Sequence, residues 1–185
     1  MTSDNLNTLR QRFLDARTEL TAAQKKREPE TVADYTFAGP GKSVTLSELF
    51  GNKNDLFVIH NMGTSCAYCT LWADGFNGVF DHWKDRASVV ISSPDTVATQ
   101  QQFKTDRNWR FTMVSTADNT FASDMGYRNE QGYHPGVSVF SKTVDGIKRV
   151  ADTPFGPGDD FCAVWHLFDL LPEGSNGWQP KFSYQ

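Results

Sequence analysis

The chain has 185 residues, 38% hydrophobic and 22% charged, with 14 Phe and 5 Trp, which is enough to bury a core and excludes a disordered chain. A net charge of −4 argues against nucleic-acid binding, which wants a basic face. Apolar runs such as "LFVI" are far too short to span a bilayer, and the N-terminus lacks an export signal's apolar core.

Residues 4–26 read as a helix. Leu6, Leu9, Phe13, Ala16, Leu20 and Ala23 recur alternately three and four apart, three heptads of an apolar seam. The preferred reading is a helix lying on its own domain, because only Leu6, Leu9, Phe13 and Leu20 are strong core residues; the alternative is a homodimer contact. Pro29 stops the helix. "YTF" and "SVTL" around Gly-Pro-Gly predict a hairpin, and "LSELFG" a helical turn closed by Gly51. "DLFVIHNMG" reads as a strand buried on both faces.

A helix then starts near Cys66, capped by Ser65, and carries Cys69, Trp72, Ala73, Phe76, Phe80 and Trp83 at helical spacing. Gly75 and Gly78 fall inside it and each costs about 1 kcal/mol relative to Ala, so it is held by aromatic packing or restarts near Asp74. "ASVVISS" is the next buried strand. Ser93 and Pro94 open a helix to about Asn108, and "FTMVST" is a further strand. Residues 117–134 read as irregular. "GVSVFSK" and "GIKRVAD" around "TVDG" predict an antiparallel hairpin, and "GDDFCAVWHLFDLL" a last helix. Trp178 and Phe182 are expected to pin an irregular tail.

This order predicts an α/β fold, a mixed central sheet with helices on both faces. One domain is expected over 1–185, with an N-terminal helical extension (1–30), a core (31–172) and a tail (173–185).

The chemistry concentrates in "SCAYCTLWADGFNG" (65–78). Three cysteines are odd in number and too few for a disulfide framework. A reducing cytoplasm is the expected compartment, and Cys–Cys chemistry there is catalytic or metal-binding. A C-x-x-C pair at the exit of a buried strand and the mouth of a helix is a strong redox signal. Unpaired N–H groups and the helix dipole favour a thiolate at the first cysteine. Cys66 is then the attacking thiol and Cys69, nearly one turn on, the resolving one. Thr64, Ser65 and Tyr68 flank the pair as candidate substrate contacts, with Tyr68 expected to be exposed. Asp74 reads either as a carboxylate near the thiols or as a helix-ending turn.

These segments, together with "PGVSVFSK" and "LFDLLPEG", resemble a thioredoxin-fold protein. "WADGFNG" resembles in particular the thioredoxin-like family known as domain of unknown function eight-nine-nine. The resemblance covers nearly the whole chain and implies a thioredoxin-like three-layer sandwich. It implies a cis-proline at Pro135, leaving backbone groups free to pair with an extended substrate. It also implies a buried ionisable group six residues before the first cysteine, which is His60, a proton acceptor for Cys69 if its pKa stays near ~6.5; the bland alternative is a satisfied core histidine.

The function implied is thiol–disulfide oxidoreduction, with a protein or low-molecular-weight thiol or disulfide as substrate and with no cofactor, nucleic acid or membrane. The chain departs from the peroxiredoxin pattern, which has a threonine three residues before the peroxidatic cysteine; here Gly63 stands there, which sets peroxidase chemistry behind disulfide exchange. Two other readings stand beside it. One is a non-catalytic binding module; the other is a structural zinc site built from Cys66, Cys69, Cys162 and His166.

Overall fold

The computed structural model describes residues 3–184; the first two residues and the last, part of the expected 1–185 domain, lie outside the described residues. The expected α/β fold is present. Eight strands form one mixed sheet in the order β1-β10-β9-β4-β5-β6-β2-β3. At its centre β4 (Asp55–His60), β5 (Ser88–Ser93) and β6 (Thr112–Ser115) run parallel. The hairpin β9 (Gly136–Thr143) and β10 (Gly146–Pro154) adds antiparallel to β4, and β1 (Glu30–Thr31) closes that edge. The hairpin β2 (Thr36–Gly39) and β3 (Lys42–Thr45) joins β6 at the other edge. A separate small ribbon, β7 (Arg128–Asn129) with β8 (Gly132–Tyr133), lies in the stretch expected to be irregular.

Side-chain alternation along the strands divides the core in two. Leu56 and Val58 of β4, Val90, Val114 and Phe140 face one side, where α2 (Leu46–Leu49) and α6 (Phe121–Asp124) cover them with Leu46 and Phe121. Ile59, Ile91, Met113 and Val137 face the other, under Trp72, Ala73 and Phe76 of α3 (Ala67–Gly78) and Trp165 of α7 (Ala163–Phe168). Phe80 and Trp83 of α4 (Phe80–Arg86) and Phe103 of α5 (Val97–Asp106) extend that second cluster. The fold therefore has helices on both faces, as the element order required.

Four local expectations are corrected. Helix α1 (Ser3–Lys25) does not lie on the domain: Leu6, Leu9, Phe13 and Leu20 remain 43%, 43%, 54% and 60% exposed. Of the two readings of the helix after Cys66, the one held by aromatic packing stands: it runs unbroken through Gly75 to Gly78 and restarts only after Val79. Asp74 is instead tied to Arg107 (Nε 3.1 Å) and to Trp109 Nε1 (2.8 Å), while Trp72, Ala73 and Phe76 are buried, and this holds the helix through Gly75. Asp74 is thus neither a helix-ending turn nor placed by its contacts at the thiols. Thr96, rather than Ser93, caps α5, because the Ser93 hydroxyl is taken by Asp95 (3.0 Å) and Gln100 (2.8 Å). The last helix shrinks to Ala163–Phe168, since Asp159 accepts from the Gly156 and Phe161 N–H groups and holds the preceding chain as a loop.

Candidate active site

The short link from β4 to α3 carries the cysteines to the C-terminal edge of the parallel strands, where open α/β sheets place their ligands. Cys66 itself caps α3, with φ −94° and ψ 104°. Its Sγ accepts the Cys69 N–H at 3.0 Å. Ser65, expected to be the cap, is exposed one residue further out. The cap is a sulfur because its own geometry meets the orphan N–H groups of the first turn.

The two sulfurs are inequivalent. Cys66 is half-buried and Cys69 buried. A hydrogen bond from the Cys69 side chain, with backbone N–H groups behind it, lowers the Cys66 pKa to about 7 against the opposing effect of burial. The same hydrogen bond and burial push Cys69 far up, so it keeps its proton. The Met62 N–H points at Cys69 Sγ from 3.4 Å. Below the pair a cavity of about 10 Å³ is lined by Cys69, Trp72, Pro135, Phe155, His60 and Asn61, room for about one water.

The loop before Cys66 is held by a residue that the sequence reading passed over. Asp95 Oδ2 accepts the Thr64 N–H at 2.9 Å, and Oδ1 lies 3.5 Å from the Thr64 hydroxyl. Gly63 sits at φ +110°, where a Cβ would come within 3.1 Å of both Asp95 oxygens. Asn61 Oδ1 accepts the Gly63 N–H at 2.8 Å, and Gly63 O accepts the Cys66 N–H at 3.1 Å. The legible signal was an Asp in the β5–α5 loop, at the same sheet edge as the β4–α3 loop.

Other expected site residues fall less simply. Tyr68 is not freely exposed: it is half-buried, its ring stacked on Trp165 with centroids 6.1 Å apart. Pro135 does reach the cavity beside Cys69, but no cis peptide bond occurs among the described residues. Its carbonyl is also not free for a substrate, because it accepts the Phe155 N–H at 2.9 Å, while the His134 N–H is spent on Tyr127 O.

His60 is buried, and by strand alternation its ring lies on the opposite face from Ile59 and α3. It stacks on Tyr127 at 3.8 Å and Phe121 at 5.4 Å, with Nε2 2.9 Å from Ser138 Oγ. Burial lowers its pKa to about 3, far from the poised value expected of an acid–base group.

Among the described residues, no three His, Cys, Asp or Glu side chains gather to hold a metal. Cys162 is buried at the start of α7, and His166 is exposed against Asp160 at 3.2 Å. The four residues of the zinc reading are not brought together.

Residues 5–183 match the model of a bacterial protein family of unknown function, DUF899. The chain belongs to the DUF899 family. It is also 31% identical over 110 residues to the putative peroxiredoxin bcp of Coxiella burnetii, covering 59% of this chain and 68% of that protein. Among solved structures, the fold resembles the C47S mutant of Xylella fastidiosa PrxQ (TM-score 0.61, 17% identity, 71% of this chain and 89% of that one). It also resembles the peroxidoxin BcpB of Mycobacterium tuberculosis (TM-score 0.56, 23% identity, 61% and 77%). These likenesses establish the thioredoxin-like fold for this DUF899 chain. No helix among the described residues is long and apolar enough to cross a membrane.

Proposed function

We propose that the protein is a dithiol redox enzyme in which Cys66 attacks and Cys69 resolves. The observation that carries this is the thiol pair at the opening of α3. One sulfur is half-buried, accepts the Cys69 backbone N–H and has its pKa lowered to about 7, while the second is buried and keeps its proton. In disulfide exchange the Cys66 thiolate attacks one sulfur of R–S–S–R′, forming Cys66–S–S–R and expelling R′S⁻. Cys69 then gives up its proton, attacks Cys66 Sγ and releases RSH, leaving the Cys66–Cys69 disulfide. The substrate disulfide gains two electrons and the protein loses two; an external thiol restores the pair.

A second oxidant is favoured by the likeness to the Coxiella burnetii protein. With a hydroperoxide, the thiolate attacks the terminal oxygen, giving Cys66–SOH and ROH once the leaving alkoxide is protonated. Cys69 then displaces water to form the same disulfide. Sequence spacing alone put this chemistry behind disulfide exchange, because Gly63 stands where peroxiredoxins have threonine. The curated relative brings it forward, and both routes converge on one oxidised form.

His60 stays outside proton transfer in this reading, as a neutral core group. Thr64 and Ser65, at the open side of the thiol, are the contacts left for substrate, with Tyr68 and Pro135 walling the site. The compartment that suits this chemistry is a reducing cytoplasm, where the disulfide is turned over by thiols.

The test is turnover with dithiothreitol as reductant, using insulin disulfides and, separately, hydrogen peroxide and an organic hydroperoxide. Cys66→Ser is expected to abolish whichever activity is present, and Cys162→Ser to leave it intact. Undiminished turnover in Cys66→Ser contradicts the proposal. Turnover of peroxides alone makes hydroperoxide the substrate class.

A further inference from the structure

Helix α1 is 23 residues long, and every one of its described side chains is exposed. Its contact with the body is against β10, and just beyond the helix Arg27 pairs with Asp152 of β10. An isolated helix in water draws little stability from propensity alone; it needs a partner for its apolar face. Leu9, Arg10, Phe13 and Leu14 line an open groove on that face.

The sequence of the seam says which partner fits. Leu6, Phe13 and Leu20 occupy one core position of the heptad, and Leu9, Ala16 and Ala23 the other. In a parallel pair each residue meets its own copy. Phe13 would crowd Phe13, while Ala16 on Ala16 and Ala23 on Ala23 would leave holes. An antiparallel pair with the full seam overlapped sets Leu6 on Ala23, Leu9 on Leu20 and Phe13 on Ala16. Large then faces small in the outer and central layers, the arrangement that fills a core without voids.

The flanking charges agree. Arg12 lies beside the seam at one heptad position before the core, as does Glu19. The antiparallel register puts Arg12 of each copy beside Glu19 of the other, two attractive contacts. It also places Arg10 near Arg17 twice. The parallel register offers Arg12 against Arg17 twice and no opposite-charge pair to offset it. Two-fold symmetry makes every such contact count double.

We propose that a second copy of this chain covers the α1 seam in an antiparallel helix pair, forming a homodimer. The test is sedimentation equilibrium of the full chain. The wild type is expected to be a dimer at micromolar concentration, and Leu9→Glu/Phe13→Glu a monomer with unchanged near-ultraviolet circular dichroism. Arg12→Glu, which sets a second carboxylate beside Glu19 of the other copy, is expected to weaken the dimer by about tenfold. Adding Glu19→Arg is expected to restore it. A monomeric wild type, or a dimer indifferent to Leu9→Glu/Phe13→Glu, overturns the proposal. Tighter association of Arg12→Glu overturns it too, because that result belongs to a parallel pair.

Discussion

At the level of single residues, proton affinity separates the two cysteines and His60. Cys66 ionises near 7 because a thiol and backbone N–H groups donate to it, outweighing burial. Its alkylation by iodoacetamide is expected to rise with pH to a midpoint at about 7, measured by mass spectrometry. Cys69→Ala, which removes the donor thiol, moves that midpoint up. A midpoint of Cys66 at the ordinary thiol value in the wild type would contradict the geometry. His60 works the other way. Its folded pKa of about 3 lies below the unfolded ~6.5. The unfolded chain therefore binds the extra proton, so the stability due to neutral His60 is complete above ~6.5 and falls as pH drops toward 3. Urea titrations of His60→Gln are expected to show a flatter acid limb between those limits. Cys66 and Cys69 were legible in the sequence because their spacing and their place after a buried strand are local facts. The side of the sheet taken by His60 was not: counting six residues back from a cysteine gives position along the chain, while the face depends on where the strand ends.

At the scale of the element, the site depends on how loops are tied. Asp95→Ala removes the acceptor of the Thr64 N–H, a charge-assisted bond whose loss costs about 1.5–3 kcal/mol. The loop that ends at Cys66 is expected to loosen, seen as faster amide exchange at Thr64 and a slower Cys66 reaction. Unchanged exchange there would show that the clamp is not structural. On β9, a Cβ at Gly136 would collide with Tyr127 Cε1 and lie 2.7 Å from Thr153 O. Gly136→Ala forces that corner apart and is expected to cost about 1–3 kcal/mol by chemical denaturation. Most elements were readable from periodicity, including both hairpins and α1. At the start of α5, Ser93 and Pro94 form a good local cap signal, but the hydrogen bonds of Asp95 and Gln100 occupy the Ser93 hydroxyl and the cap passes to Thr96. Asp95 was legible as a carboxylate at that sheet edge, but its pairing with Thr64 was not, since it joins residues 31 apart in the chain.

At the scale of the whole molecule, alternation on the central strands separates a core under α2 and α6 from one under α3 and α7. The cysteine pair adjoins the second, where Trp72, Phe155 and Pro135 line a small cavity beside Cys69. Phe140, fully buried at the centre of the first, is expected on truncation to Ala to cost about 3–5 kcal/mol, with the reactivity of any protein still folded unchanged. The mixed sheet followed from the order of strands and helices. That α1 stands clear of the body did not, because an apolar seam looks the same whether its partner is its own domain or another chain.

The most direct test is equilibration of the wild-type protein in glutathione redox buffers, followed by acid quench, alkylation and peptide mass spectrometry. A single two-electron transition is expected, in which Cys66 and Cys69 disappear together into one intramolecular disulfide, while Cys162 stays reduced. Independent glutathionylation of Cys66, with Cys69 remaining a free thiol across the whole range, would contradict it.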